Sequence, residues 1–137
     1  MTRRDCLWLA LVLAACRTPQ PLPDVFRETV AGVWHRTALR EAQPSETPDP
    51  IPRTAVRRMR IADYDGPGKL EARLYDLQSS ALALDMVQRW RPSADTVFFY
   101  EKNYFVVVKW QQAERAALQS FVREIQNGLN PQGTGGR

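Results

Sequence analysis

The sequence predicts an α+β fold: an antiparallel sheet of four to five strands with two helices packed on one face. Three observations carry this expectation. Segments 58–64, 69–77, 96–100 and 104–110 alternate in polarity or are rich in β-branched and aromatic residues, as strands are. Turn residues join them in pairs, and two further segments, 80–91 and 112–127, carry apolar side chains at helical spacing. The resulting order, hairpin, helix, hairpin, helix, buries each helix stripe most simply against the apolar side of one sheet.

The first 16 residues have a different character. Arg3 and Arg4 precede an unbroken apolar run, Leu7 to Leu13, and Leu13-Ala14-Ala15-Cys16 follows at once. A basic start, a short apolar run and small residues are the three parts of a signal peptide, and the run is far shorter than the roughly 20 residues of a spanning helix. Leu13-Ala14-Ala15-Cys16 resembles the lipobox of bacterial lipoproteins. That resemblance implies cleavage before Cys16, a diacylglycerol on its sulfur, palmitate or a similar acyl chain on its amine, and an address in the cell envelope. Arg17 after the cysteine resembles the sorting signal for the periplasmic face of the outer membrane, where aspartate would retain the protein at the inner one. Thr2-Arg3-Arg4-Asp5-Cys6-Leu7 is loosely similar to a twin-arginine signal, so either export route stays open. Two or three acyl chains, each buried CH₂ contributing about 0.8 kcal/mol, anchor a chain stably.

Seven of the ten prolines lie between positions 19 and 52. Segment 16–23 reads as the lipidated cysteine and a proline-stiffened tether, and 24–129 as a single domain of ordinary composition, 25% charged and 44% hydrophobic. Within it, Asp24 to Val30 is predicted to form one or two helical turns capped by Asp24, and Val33 to Leu39 a short strand. Glu41 to Pro52 is expected to be a surface loop with nothing to pack. Asp65-Gly66-Pro67-Gly68 joins the first hairpin, for which pairing of Tyr64 with Lys69 would set Met59, Ile61, Leu70, Ala72 and Leu74 on one face. Arg58, Arg60, Glu71 and Arg73 would then lie on the other.

Ser79 or Ser80 is expected to cap the first main helix, whose stripe is Ala83, Met86, Val87 and Trp90 and whose end is enforced by Pro92. Glu101-Lys102-Asn103 joins the second hairpin. The last helix carries Leu118, Phe121, Val122, Ile125 and Leu129 on one stripe, with Gly128 as its stop, and 130–137 is read as a disordered tail. Tyr64-x-Gly66-x-Gly68, the alternation of Leu70 to Tyr75, Ala81 to Trp90 and Tyr104 to Val108 together resemble an uncharacterised bacterial envelope family, over 33–129. More distantly the order is similar to the PsbP family of extrinsic photosystem proteins and the Mog1 family of nuclear-transport factors. The likeness implies a fold and carries no site residues across.

Residues suited to chemistry are sparse. Removing residues 1–15 leaves 17 basic and 14 acidic side chains and, once Cys16 is acylated, no free thiol. His35 is the only histidine, which restricts both metal sites and serine triads. Asp63, Asp65 and Asp76 are near enough in sequence to suggest paired carboxylates or a calcium site, although turn and strand-end positions explain them as well. Arg53, Arg57, Arg58 and Arg60 form a basic group without an intervening acid, suited to anionic headgroups or an acidic partner. In an exported chain that group does not point to nucleic acid. The second hairpin carries rings on both faces, so Phe98 and Tyr100 are candidates for a binding surface if the helices cover only one face. No cofactor and no metal is implied. The expected function is that of a lipid-anchored, non-enzymatic binding or assembly module with an envelope protein as partner. A small-molecule or lipid carrier and a small hydrolase using His35, Asp63 or Asp65 are the alternatives.

Overall fold

The computed structural model describes residues 21–48, 50–91 and 93–131. The expected signal peptide, Cys16, most of the tether, Pro92 and the tail from 132 lie outside the described residues. Six strands form one antiparallel sheet: β1 (Thr29–Val30), β2 (Trp34–Ala42), β3 (Val56–Gly66), β4 (Gly68–Leu77), β5 (Thr96–Glu101) and β6 (Tyr104–Gln111), in the spatial order β1-β2-β3-β4-β6-β5. Helix α1 (Ser80–Arg89) joins the two hairpins, and α2 (Arg115–Leu129) closes the chain. The α+β class agrees with the sequence, while the sheet has more strands than the four to five expected because β1 and a longer β2 extend it.

The decisive departure is the register of the first hairpin. Tyr64 pairs with Leu70, Ile61 with Arg73 and Met59 with Tyr75, one residue away from the expected alignment. Gly66 pairs with Gly68, leaving Pro67 alone at the bend. Gly68 accepts this at φ +133°, and a Cβ there would lie 2.6 Å from the Ala113 backbone, so only glycine fits. Since side chains alternate along a strand, a shift of one residue exchanges faces. Met59 and Ile61 therefore face away from Leu70, Ala72 and Leu74, and both sides of the sheet are apolar.

Each side has its own cover, so the helices pack on opposite faces and not on one. Ala62, Tyr64, Leu70, Ala72, Leu74, Val106, Val108 and Phe99 meet Leu118, Phe121 and Ile125 of α2. Met59, Ile61, Tyr75, Leu77, Phe105 and Val107 meet Ala83 and Met86 of α1, with Val87 and Trp90 partly buried beside them. On the α2 face, Phe121 sits edge-on to Tyr64 (centroids 5.0 Å) and Trp34 (6.2 Å). The Trp34 indole donates to the Ala117 carbonyl at 2.9 Å, tying β2 to α2. The α1 stripe and the Ser79 cap, whose hydroxyl accepts from the Leu82 N–H, follow the expectation.

Two other expectations are corrected. Asp24 to Val30 is not helical; it runs extended beside α2 and buries Leu22, Val25, Phe26 and Val30 in the same core. Tertiary bonds take its carbonyls: Arg36 donates to those of Phe26 and Glu28, and the Tyr64 hydroxyl to that of Arg27. A helix would have needed those acceptors for itself. Likewise, 41–52 is not an unpacked loop. Ala42 ends β2, two short 3₁₀ turns (Pro44–Glu46 and Arg53–Ala55) fold the segment back, and Ile51 and Thr47 are buried in the α1-face core. Gly128 does not stop α2; the helix passes it to Leu129, and the missing Cβ leaves room for Val25, 2.8 Å from where it would stand.

The buried 41–52 segment yields a test. Ile51→Ala is expected to destabilise the domain by about 3 kcal/mol, a core truncation, where an exposed loop residue would change it by about 0.5 kcal/mol or less. Urea unfolding followed by fluorescence decides between the two.

Candidate functional site

The corrected register places Arg58 opposite Asp76, at the end of the sheet where β3 begins and β4 ends. Asp76 is the buried carboxylate among the described residues, 1% exposed. One of its oxygens accepts from Arg58 Nε (3.1 Å) and Nη2 (2.7 Å), and the other from Asn103 Nδ2 (2.6 Å). Asn103 also exchanges bonds with Leu77, its side chain donating to the Leu77 carbonyl and its own carbonyl accepting from the Leu77 N–H. Burying a carboxylate costs several kcal/mol unless it is paired and hydrogen-bonded, and here three donors meet it.

Above this floor lies an open cleft of about 840 Å³, large enough for a headgroup and not only for a single ion. Its walls are Arg57, Arg58, Gln78, Ser79, Ser80, Lys102, Asn103 and Tyr104. The bonds to Asp76 occupy two of the five N–H groups of Arg58, so the guanidinium keeps donors for a ligand. Arg57 is steadied by one bond to the Gln78 carbonyl at 3.0 Å. The pair Arg58 and Asp76 is neutral in sum, which leaves Arg57 and Lys102 as the net charge of the walls. Tyr104 is pushed above the ordinary tyrosine range by burial and by the Asp76 carboxylate, against the opposing pull of Arg58 and Arg57. Its hydroxyl, like that of any tyrosine at neutral pH, keeps its proton and can donate.

Lys102 stands in the two-residue turn between β5 and β6 at φ +57°, a conformation that costs a non-glycine residue about 1 kcal/mol. A glycine would relieve that cost at the expense of the charge. Ala31 and Gln112 adopt the same region elsewhere in the fold, so the strain is not confined to the cleft.

The other expected residues are dispersed. Arg53 donates to the Thr47 carbonyl, and Arg60 pairs with Glu41 across β2 and β3. Phe98 and Tyr100 lie on the α1 face, partly buried, and Phe98 packs on Trp90 and Phe105. The argument that an aromatic face needs an external cover falls away, because α1 and α2 divide the two faces between them. Asp63 and Asp65 are exposed on the α1 side, opposite Glu71 and Lys69, while Asp76 points to the α2 side several residues along β4. The three carboxylates do not meet. His35 is exposed and pairs in the ladder with Asp65. Among the described residues no group of three or more His, Cys, Asp and Glu side chains could hold a metal ion, and no helix is long and apolar enough to cross a membrane.

Lys102, Asn103 and Tyr104 were missed as site residues. The signal existed: Arg58 and Asp76 become cross-strand partners as soon as Tyr64 is set against Leu70. A second polar feature lies between α2 and β5, where the buried Trp110 indole N–H has no hydrogen-bond partner among the described residues. Val97, Leu118 and Val122 line the groove beside it.

Comparison with protein-family models, with curated proteins and with solved structures finds no match to this chain.

Asp76→Asn keeps the shape and removes the charge that holds Arg58. It is expected to lower stability by about 2 kcal/mol, discounted because the arginine is partly exposed, and to free the Arg58 side chain. Urea denaturation measures the first effect, and slowed-exchange NMR of the arginine Nε–H, protected in the parent and lost in the variant, the second.

Proposed function

We propose that this chain is a secreted lipoprotein, acylated on Cys16, whose α+β body is a non-enzymatic binding module held at the envelope membrane. The signal-like first 15 residues and the Leu13-Ala14-Ala15-Cys16 motif support the anchor. The observation that carries the binding reading is buried Asp76, held by partly exposed Arg58 and Asn103, beneath a basic cleft. Its groups are disposed to hold charge. Asp76 is engaged through both oxygens, Tyr104 is shifted away from ionising, and the remaining donors of Arg57, Arg58, Lys102 and Tyr104 line one opening. Donors gathered around one concavity favour an anionic group, as a recognition site does.

A carrier reading draws on the Trp110 groove, where an apolar molecule with one acceptor atom would satisfy the indole N–H. Native mass spectrometry of the purified protein distinguishes the two, since a carrier retains a co-purified mass.

The anchor is tested in cells with radiolabelled palmitate. Label is expected in the wild-type chain and none in Cys16→Ser, which should accumulate as the uncleaved precursor. Processing and membrane association that survive Cys16→Ser unchanged would remove the lipoprotein reading.

A further inference from the structure

The basic cleft and the point where the tether enters the body lie at the same end of the molecule. The extended N-terminal segment runs antiparallel along α2, with the Ala31 N–H on the Glu124 carboxylate and Val25 over Gly128. Leu22, buried in the same core as Leu129, is thus at the C-terminal end of α2. Asn130, which follows that helix, donates to the Glu101 carboxylate at 3.1 Å, and Glu101 leads directly into Lys102 and Asn103 of the cleft wall. Arg53 and Arg57 belong to the turn and strand that begin at this end, and Arg58 and Arg60 follow in β3. Three carboxylates here are paired with arginines, Asp76 with Arg58, Glu41 with Arg60 and Glu46 with Arg40, while Glu101, bonded to the neutral Asn130 amide, and exposed Asp24 keep their charge against Arg53, Arg57 and Lys102.

From these contacts we infer that the cleft of Arg57, Arg58, Lys102 and Tyr104 is the membrane-facing surface of the body and takes the phosphate of an anionic lipid headgroup. The inference rests on the lipoprotein reading for its geometry. Six peptide steps separate Cys16 from Leu22, which is already packed in the core. Fully extended they reach roughly 20 Å, short beside the breadth of a domain of this length, so the end that carries Leu22 stays next to the bilayer. Within a Debye length of about 8 to 10 Å, Arg53, Arg57 and Lys102, which outnumber the unpaired Glu101 and Asp24, attract anionic headgroups. A phosphate entering the cleft meets guanidinium N–H groups and the Tyr104 hydroxyl, with the N-terminus of α1 at Ser79 and Ser80 adding a favourable dipole. The acyl anchor supplies proximity, and the cleft supplies orientation and a preference among lipids.

The test uses the chain from Arg17 onward, which contains every contact described and carries no acyl group. It is sedimented with vesicles of phosphatidylcholine alone and of phosphatidylcholine with phosphatidylglycerol, at low and high salt. Binding is expected only to the anionic vesicles and is expected to fall with salt. Arg57→Ala and Lys102→Gly are each expected to weaken partitioning roughly fivefold, while Lys69→Ala, at the opposite end of β4, leaves it unchanged. Lys102→Gly should retain or raise thermal stability, which separates lost charge from lost fold. Equal binding to both vesicle types, no binding to either, or indifference to Arg57→Ala and Lys102→Gly would overturn the inference. So would saturable binding of glycerol 3-phosphate in solution as tight as that of the vesicles, which would assign the cleft to a soluble phosphate ester. Palmitate labelling is independent of these results, so failure of the anchor and failure of the cleft are told apart.

Discussion

The pairing of β3 with β4 across a single bend residue, Pro67, governs the rest of this structure. Each of the two strands changes the side on which it is apolar partway along its length: Met59 and Ile61 against Ala62 and Tyr64 in β3, Leu70, Ala72 and Leu74 against Tyr75 and Leu77 in β4. With Tyr64 opposite Leu70 these half-strand sets align across the hairpin, and β6 continues both with Phe105 and Val107 on one side and Val106 and Val108 on the other. The result is two apolar clusters on opposite sides of one sheet. A sheet exposing either would lose the contribution of several fully buried side chains, each about 1.5 to 3 kcal/mol. Two covers are therefore required, and α1 and α2 take one side each.

That register also creates the polar end of the molecule. It sets Arg58 across from Asp76, and the two-residue turn after β5 brings Asn103 against the other carboxylate oxygen. An ion pair buried on its carboxylate side is weak evidence for stability, because desolvation offsets much of the attraction. Its clearer effect is to hold one arginine in place at the cleft wall, beside Arg57, Tyr104 and a lysine in a strained turn. An apolar pair at the same positions could pack at least as well but would leave no guanidinium donors at the cleft.

The N-terminal segment shows how tertiary contacts override local preference. Asp24 to Val30 has the composition of a helical turn, yet its backbone acceptors are taken by Arg36 and Tyr64 and its apolar side chains fill the trough beside α2. The proline-rich 41–52 segment reads as solvated by composition, but Ile51 and Thr47 pack against Met59 and its neighbours. In both, a few apolar residues among polar ones suffice once a matching surface exists, and such a surface belongs to distant parts of the chain.

The elements with strong periodicity were legible from residues alone. The stripe Leu118, Phe121, Ile125 and Leu129, the Ser79 cap, the second hairpin and the α+β class depend on neighbours within a few positions, where helix and strand geometry act directly. Only the tertiary structure decided the register at Pro67, the division of the helices between two faces, the burial of 41–52 and the meeting of Arg58 with Asp76. Each of these turns on which distant residues come opposite one another. The alternation of a strand is unchanged in kind by a slip of one residue, so local patterns cannot choose between the two alignments. The choice falls to the packing of both faces at once.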